Sequence, residues 1–285
     1  VQILELAPDE VHEDDAALAL GRLVAGRGIE ATLPGEARAD LVATASGLLK
    51  VDAERLLKLN LLDEVLIPTR HDNTPVRAGE LVGRAKVRGL AVRQDVLDEA
   101  RAIAGGPSMI MEILPYRSMR AGAVITGREI YEGRRKDAFE PLLRRRLEEY
   151  GSALVHTEIV PDEVPAVCKA VSTALGAGLD LVLVTGGGSP DDCTSVSIAQ
   201  IADDVVFHGV PVAPGAMTIL AYAGEVPILG VPAGLLARPR GFIDLVLPRL
   251  LAGERLTSLD AAGYGHGGLC LRCETCVFPV CPFGR

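Results

Sequence analysis

The chain has 285 residues, enough for one large domain or two ordinary ones. With 48% hydrophobic and 24% charged residues it can bury a sizeable core, and its composition is not that of a disordered segment. Lys and Arg total 29 against 38 Asp and Glu, a net charge of −9 that argues against unspecific nucleic-acid binding; aromatics at 4% with no Trp leave no stacking platform for single strands.

The longest uncharged stretch, Val205 to Gly224, is broken by Gly209, Pro211, Pro214 and Gly215, so no membrane span is expected. Val1 to Glu5 carries no basic run followed by an apolar one, so no signal peptide is read and the cytoplasm is the expected location.

In chain order, Val1 to Ala7 reads as a strand and Asp14 to Ala25 as an amphipathic helix. Ala39 to Ala45 and Leu48 to Val51 read as two strands of a hairpin turned at Ser46-Gly47. Asp52 is placed to cap a short helix through Leu62. Glu64 to Thr69 and Leu81 to Val87 follow as strands, and Asp95 to Ala104 as a helix ended by Gly105-Gly106-Pro107. The alternation around Thr74 to Gly83 is similar to strands of small barrel-sandwich modules. From about Ile110 strands and helices alternate. Ala121 to Ile125 is a buried strand, Asp137 to Tyr150 a helix, Ala153 to Val160 a strand, and Asp162 a cap for a helix through Leu175. Leu179 to Thr185 is an apolar strand; a helix near 195–202, strands near Ile219 and at Pro227 to Val231, and a helix from Arg240 to Leu251 complete the series. The expected fold is α/β: a three-layer, mostly parallel Rossmann-like sheet preceded by an α+β module. The expected divisions are 1–107, 108–255 and a Gly/Cys-rich tail at 256–285.

Ligands of open parallel sheets bind beyond the carboxyl ends of the strands. Three loops leave such ends: Thr126-Gly127-Arg128-Glu129-Ile130; Thr185-Gly186-Gly187-Gly188-Ser189-Pro190-Asp191-Asp192-Cys193-Thr194; and Gly230-Val231-Pro232-Ala233-Gly234. Consecutive glycines allow close backbone approach and expose N–H groups to a phosphate. The hydroxyls of Thr185, Ser189 and Thr194 add donors, and Asp191 and Asp192 are placed to hold a cation or orient a substrate hydroxyl. Read by itself, such a triplet serves equally as a turn that lets strand meet helix.

Taken together, the loops resemble the signature of molybdopterin-binding domains, found in molybdopterin adenylyltransferases, molybdotransferases and competence-damage-inducible proteins. Thr-Gly-Gly-x-Ser/Gly-Pro followed by Asp-x-Thr is matched from Thr185 to Thr194, with support from Thr126-Gly127-x-Glu129-Ile130, Pro161-Asp162-Glu163, Pro214-Gly215 and Gly230-Val231-Pro232. The resemblance covers about residues 119 to 253. It implies that Gly186, Gly187, Gly188, Ser189 and Thr194, with Thr126, Gly127, Glu129 and Thr185, line a pterin-phosphate site. Pro232 and Gly234 would form its opposing wall, and Asp192 would orient substrate or Mg²⁺ as the catalytic residue. Two departures stand out: Arg128 replaces the usual acidic residue, and Ala233 interrupts the usual Pro-Gly. The resemblance implies a pterin ligand, self-association and a role in molybdenum or tungsten cofactor assembly, as an adenylyl- or molybdo-transferase. The alternatives it allows are a non-catalytic carrier that contacts a molybdoenzyme and a nucleotide-processing hydrolase.

Cys270, Cys273, Cys276 and Cys281 are spaced C-x2-C-x2-C-x4-C and followed by Pro282, one residue off the bacterial ferredoxin run. Four thiolates so close are candidate ligands for zinc or an iron–sulfur cluster, and His266 is a further candidate. A reducible tail or a pair of disulfides is the alternative.

Overall fold

The computed structural model describes residues 5–35, 37–106, 108–186 and 192–284. The chain divides into two compact units, Val1–Pro115 and Tyr116–Arg285.

The first unit runs β1 (Glu10–His12), α1 (Glu13–Val24), β2 (Ile29–Gly35), β3 (Arg38–Ala43), β4 (Gly47–Val51), α2 (Ala53–Asn60), β5 (Val65–Leu66), β6 (Thr74–Val76), β7 (Leu81–Val87), β8 (Ala91–Arg93), α3 (Gln94–Ala104) and β9 (Met111–Pro115). It contains a β2-β3-β7-β5 sheet, a β6-β4-β9 sheet and a β1-β8 ribbon. Asp52 caps α2 as expected, its carboxylate accepting from the Arg55 N–H at 2.9 Å. The expected hairpin is not formed. β3 pairs with β2 and β7, whereas β4 pairs with β6 and β9. Leu48 and Leu49 of β4 are both fully buried, so this strand is central and requires a partner on each side. Of the first expected strand, residues 1–4 lie outside the described residues and 5–7 are irregular.

The second unit continues with β10 (Arg120–Thr126), α4 (Arg128–Tyr131), α5 (Phe139–Glu148), β11 (Ala153–Val160), α6 (Val164–Gly176), β12 (Leu181–Gly186), α7 (Cys193–Ile201), β13 (Asp204–His208), β14 (Ile219–Ala223), β15 (Val226–Pro232), α8 (Phe242–Leu251) and α9 (Ser258–Gly263). One six-stranded sheet has the order β11-β10-β12-β15-β14-β13. The first four strands are parallel, and β14 and β13 add an antiparallel edge.

Alternate residues of these strands enter two separate cores, which makes the unit three-layered. Ala121, Ala123 and Ile125 of β10 join Leu181 and Leu183 of β12 beneath Phe139, Leu143 and Leu147 of α5 and the apolar face of α8. Val124, Val182, Val184 and Ile228 point the other way, against Val167, Ala170, Val171 and Ala174 of α6 and Ile198 of α7. The mostly parallel α/β architecture expected from the sequence is thus present. No helix among the described residues is long and apolar enough to cross a membrane.

A buried charge network fastens α5 to α8. Asp244 is fully buried, and its Oδ1 lies 2.6 Å from Arg146 Nε and 2.7 Å from Arg240 Nη1. Its Oδ2 accepts from the Gly241 N–H at 2.8 Å, which closes the first turn of α8. Arg146, 4% exposed, also pairs with Glu149 and donates to the Pro239 carbonyl. Asp244→Ala leaves both guanidiniums short of a counter-charge and is expected to cost about 3–5 kcal/mol. Thermal unfolding followed by circular dichroism checks this; a variant that melts with the parent contradicts it.

Candidate functional site

The parallel register brings three strand ends level. Ile125 of β10 stands opposite Thr185 of β12, Thr185 opposite Val231, and Gly186 opposite Pro232 of β15. The candidate loops therefore leave the sheet side by side, at its carboxyl end.

Threonines bind these ends together. Thr126 Oγ1 donates to the Thr185 carbonyl at 2.6 Å, and the Thr126 N–H donates to Thr185 Oγ1 at 3.3 Å. Thr194 Oγ1, on the first turn of α7, reaches the same Thr185 carbonyl at 3.5 Å. Asp192 is the N-cap of α7: its Oδ1 accepts from the Thr194 N–H at 2.9 Å, and its carbonyl accepts from Ser195 Oγ at 3.0 Å. A helix N-terminus with its cap fixed in this way presents N–H groups and a partial positive charge toward the sheet end.

Gly186 is where β12 must stay bare. A Cβ there would stand 2.2 Å from Thr194 Oγ1 and 2.9 Å from Asp192 Oδ2, so any side chain would push the α7 cap away from the strand. Gly230 plays the same part on β15, where a Cβ would meet the Ile219 side chain at 2.2 Å.

A small hollow opens at this point, lined by Gly186, Asp192, Thr194, Ser195, His208 and Pro232 among others. Of the residues picked out from the sequence, the structure gathers Gly186, Asp192, Thr194 and Pro232 around it, with Thr126 and Thr185 in the bonded layer below. Gly187, Gly188, Ser189 and Asp191 lie outside the described residues. Gly234 belongs to the 3-10 turn Ala233–Ala237 that follows β15, and the residues named as lining the hollow do not include it. Gly127, at φ +147, turns the chain out of β10, and Glu129 is exposed on the short α4.

Sequence reasoning missed Ser195 and His208. His208 sits inside the uncharged 205–224 stretch, and only the antiparallel β13–β14 pairing carries it to the site. Asp162 departs from expectation. The N-cap of α6 is Glu163, with no side-chain capping bond, while Asp162 Oδ2 accepts from the Arg128 N–H at 2.9 Å. It therefore fixes the first loop rather than starting a helix. The Arg128 guanidinium, 64% exposed, lies 3.7 Å from Glu163.

Burial first, then the nearby carboxylates of Asp192 and Asp162, pushes the Cys193 thiol up to about 11. That shift opposes formation of the thiolate. Among the described residues no three His, Cys, Asp or Glu side chains are set as a metal-holding group, either here or at Cys270, Cys273, Cys276 and Cys281. His266 is exposed and does not line the hollow that those cysteines share.

With this geometry in view, the similarity to known proteins is informative. Residues 122–252 match the model of the family described as a probable molybdopterin binding domain. That span contains all three strand ends, and it bears out the resemblance read from the loops. A CinA-like protein of Mycolicibacterium vanbaalenii is 32% identical over 146 residues, 51% of this chain and 32% of that protein. A CinA-like protein of Mycobacterium leprae is 40% identical over 89 residues, 30% of this chain and 21% of its own length. The chain thus spans about a third or less of these curated relatives. Among solved structures, the molybdopterin biosynthesis enzyme MoaB of Thermus thermophilus aligns at 24% identity and TM-score 0.40 over 48% of this chain and 98% of its own. The molybdopterin biosynthesis MoeA protein of Pyrococcus horikoshii aligns at 16% identity and TM-score 0.41 over 85% and 79%.

Gly186→Ala is expected to destabilise the protein by about 1–3 kcal/mol through the overpacked Thr194 contact. Gly234→Ala, where a Cβ meets nothing within 4 Å, should stay within about 0.5 kcal/mol of the parent. Denaturant unfolding of the two variants distinguishes them, and equal effects would contradict the steric account. Iodoacetamide at pH 8 should modify the exposed Cys273 and Cys276 well before Cys193, as peptide mass mapping over time can show.

Proposed function

We propose that the second unit binds a molybdopterin-type pterin through its phosphate at the carboxyl ends of β10, β12 and β15, in the assembly of a molybdenum or tungsten cofactor. The observation that carries this reading is the family match across residues 122–252, which contains both the bare Gly186 position and the Asp192-capped start of α7. The residues present suit such a group. The N-terminal end of α7, packed against Gly186, favours negative charge. Thr194 and Ser195 line the same end, their hydroxyls directed to the Thr185 and Asp192 carbonyls. A phosphate-bearing pterin contributes the phosphoryl oxygen at which transfer would occur. The chain's own part is positioning and charge stabilisation, as in phosphoryl transfers generally.

Asp192 has two parts in this reading. One oxygen holds the α7 cap, and the other, beside Gly186, would orient a substrate hydroxyl or an Mg²⁺ ion. Arg128 stands at the first loop, where its guanidinium would pair with a phosphate in place of the family's usual carboxylate. Self-association and contact with a molybdoenzyme belong to the same proposal, as does a cytoplasmic location.

A second reading is favoured by the curated relatives, which are CinA-like proteins. Under it the same strand ends would process a nucleotide instead of holding a pterin.

Calorimetric titration of the parent with molybdopterin, and separately with ATP and Mg²⁺, tests both. Pterin binding that weakens by about tenfold in Asp192→Ala is the expected result, the loss of one charge-assisted hydrogen bond. ATP binding beside it points to adenylyl transfer. No pterin binding by the parent overturns the first reading, and release of product from a dinucleotide without pterin establishes the second.

A further inference from the structure

The four C-terminal cysteines are not on a loose tail. Leu269 forms a parallel bridge with Ala213: the Ala213 N–H donates to the Gly268 carbonyl at 2.8 Å, and the Cys270 N–H donates to the Ala213 carbonyl at 2.9 Å. At the far end the Gly284 N–H donates to the Gly267 carbonyl at 3.0 Å, and Phe283, 4% exposed, is sunk in the core of the second unit. The segment between is thus a loop closed at its base, and Cys281 returns to the hollow that Cys270 also lines. All four cysteines line one hollow of about 200 Å³. Its walls include Phe278 and Phe283, and Arg238 and Arg240 border it. The Arg240 guanidinium lies 5.1 Å over the Phe278 ring and is anchored behind by Glu149 and Asp244.

We propose that this loop captures a [4Fe–4S] cluster on Cys270, Cys273, Cys276 and Cys281. The proposal is independent of the pterin reading. Three cysteines at x2 spacing supply three corners of such a cluster, and in ferredoxin runs a more distant cysteine completes another. Here there is one run, and the closed base puts the more distant Cys281 on the same hollow. A lone zinc ion suits the pattern less well, since structural zinc sites are closed four-coordinate knots without a hollow of this size. Arg238 and Arg240 offset the negative charge of a thiolate-bound cluster, and the phenyl rings exclude water from it. Cys270 and Cys281 are half-buried while Cys273 and Cys276 are exposed at the rim, so capture requires the two outer thiols to turn inward. Capture is a ligand exchange. Each cysteine sulfur replaces one small thiolate on a preformed cluster, the cysteine proton leaves on the displaced thiol, and no group changes oxidation state.

The test titrates the reduced 285-residue chain, without oxygen, with a synthetic [4Fe–4S] cluster carrying small alkyl thiolates, followed by gel filtration and assay of iron and acid-labile sulfide. The expected result is about four iron and about four sulfide retained per chain. Cys273→Ser with Cys276→Ser should retain under about a tenth of that, with thermal unfolding unchanged because both positions are exposed. Alkylating the thiols of the parent beforehand is a second arm that leaves the sequence intact and must abolish retention equally. A parent that retains no iron, one that takes up a single Zn²⁺ and excludes the cluster, or a double variant that retains as much as the parent each overturns the proposal.

Discussion

The second unit depends on the burial of β12 on both faces. Leu181, Val182, Leu183 and Val184 are wholly enclosed, and the strand lies between β10 and β15 with α5 and α8 on one side and α6 and α7 on the other. Each such side chain contributes about 1.5–3 kcal/mol by leaving water. A slip of one residue would exchange the two cores, placing each set of side chains in a space shaped for the other. The register is therefore fixed, and with it the level at which Thr126, Gly186 and Pro232 emerge. The positions of the candidate site follow from packing several residues away from it.

The same strand was the easiest to read in the sequence, because a buried parallel strand is a continuous apolar run bounded by a turn. β11 and β7 were legible with their observed bounds, and α1, α2 and α3 to within a residue or two, since their periodicities are clear. The errors fall where local pattern does not specify a partner. Ser46-Gly47 reads as a hairpin turn, yet β4 goes to β6 and β9. β13 went unread: it is a five-residue edge strand whose apolar run Val205-Val206-Phe207 is short, and only Phe207 of it is buried. α9 went unread although Thr257 and Asp260 form a capping box at its start. Asp162 resembles a helix cap by position, but its carboxylate accepts from the Arg128 N–H on another loop.

Legibility of the site divides along the same line. Gly186, Thr194 and Pro232 could be placed because strand ends in a parallel sheet converge by topology. His208 and Ser195 could not, because their arrival depends on an antiparallel crossover and on the phase of α7. The cysteines were visible as a spacing, whereas the bond that closes their loop joins two glycines with no side chain to announce it. Arg240 links that loop to the rest of the unit, since the guanidinium over Phe278 also shares Asp244 with Arg146. Helix packing and loop placement thus draw on one buried carboxylate.

The pairing of β4 with β9 has a consequence for the order of events during synthesis. Gly47 lies opposite Pro115, so one side of a central strand waits until the last residues of the first unit have left the ribosome. Until then Leu48 and Leu49 remain uncovered along that edge, and a nascent chain halted before Met111 carries an unpaired apolar strand of the kind chaperones hold. The β6-β4-β9 sheet of the first unit therefore cannot be completed until β9 arrives.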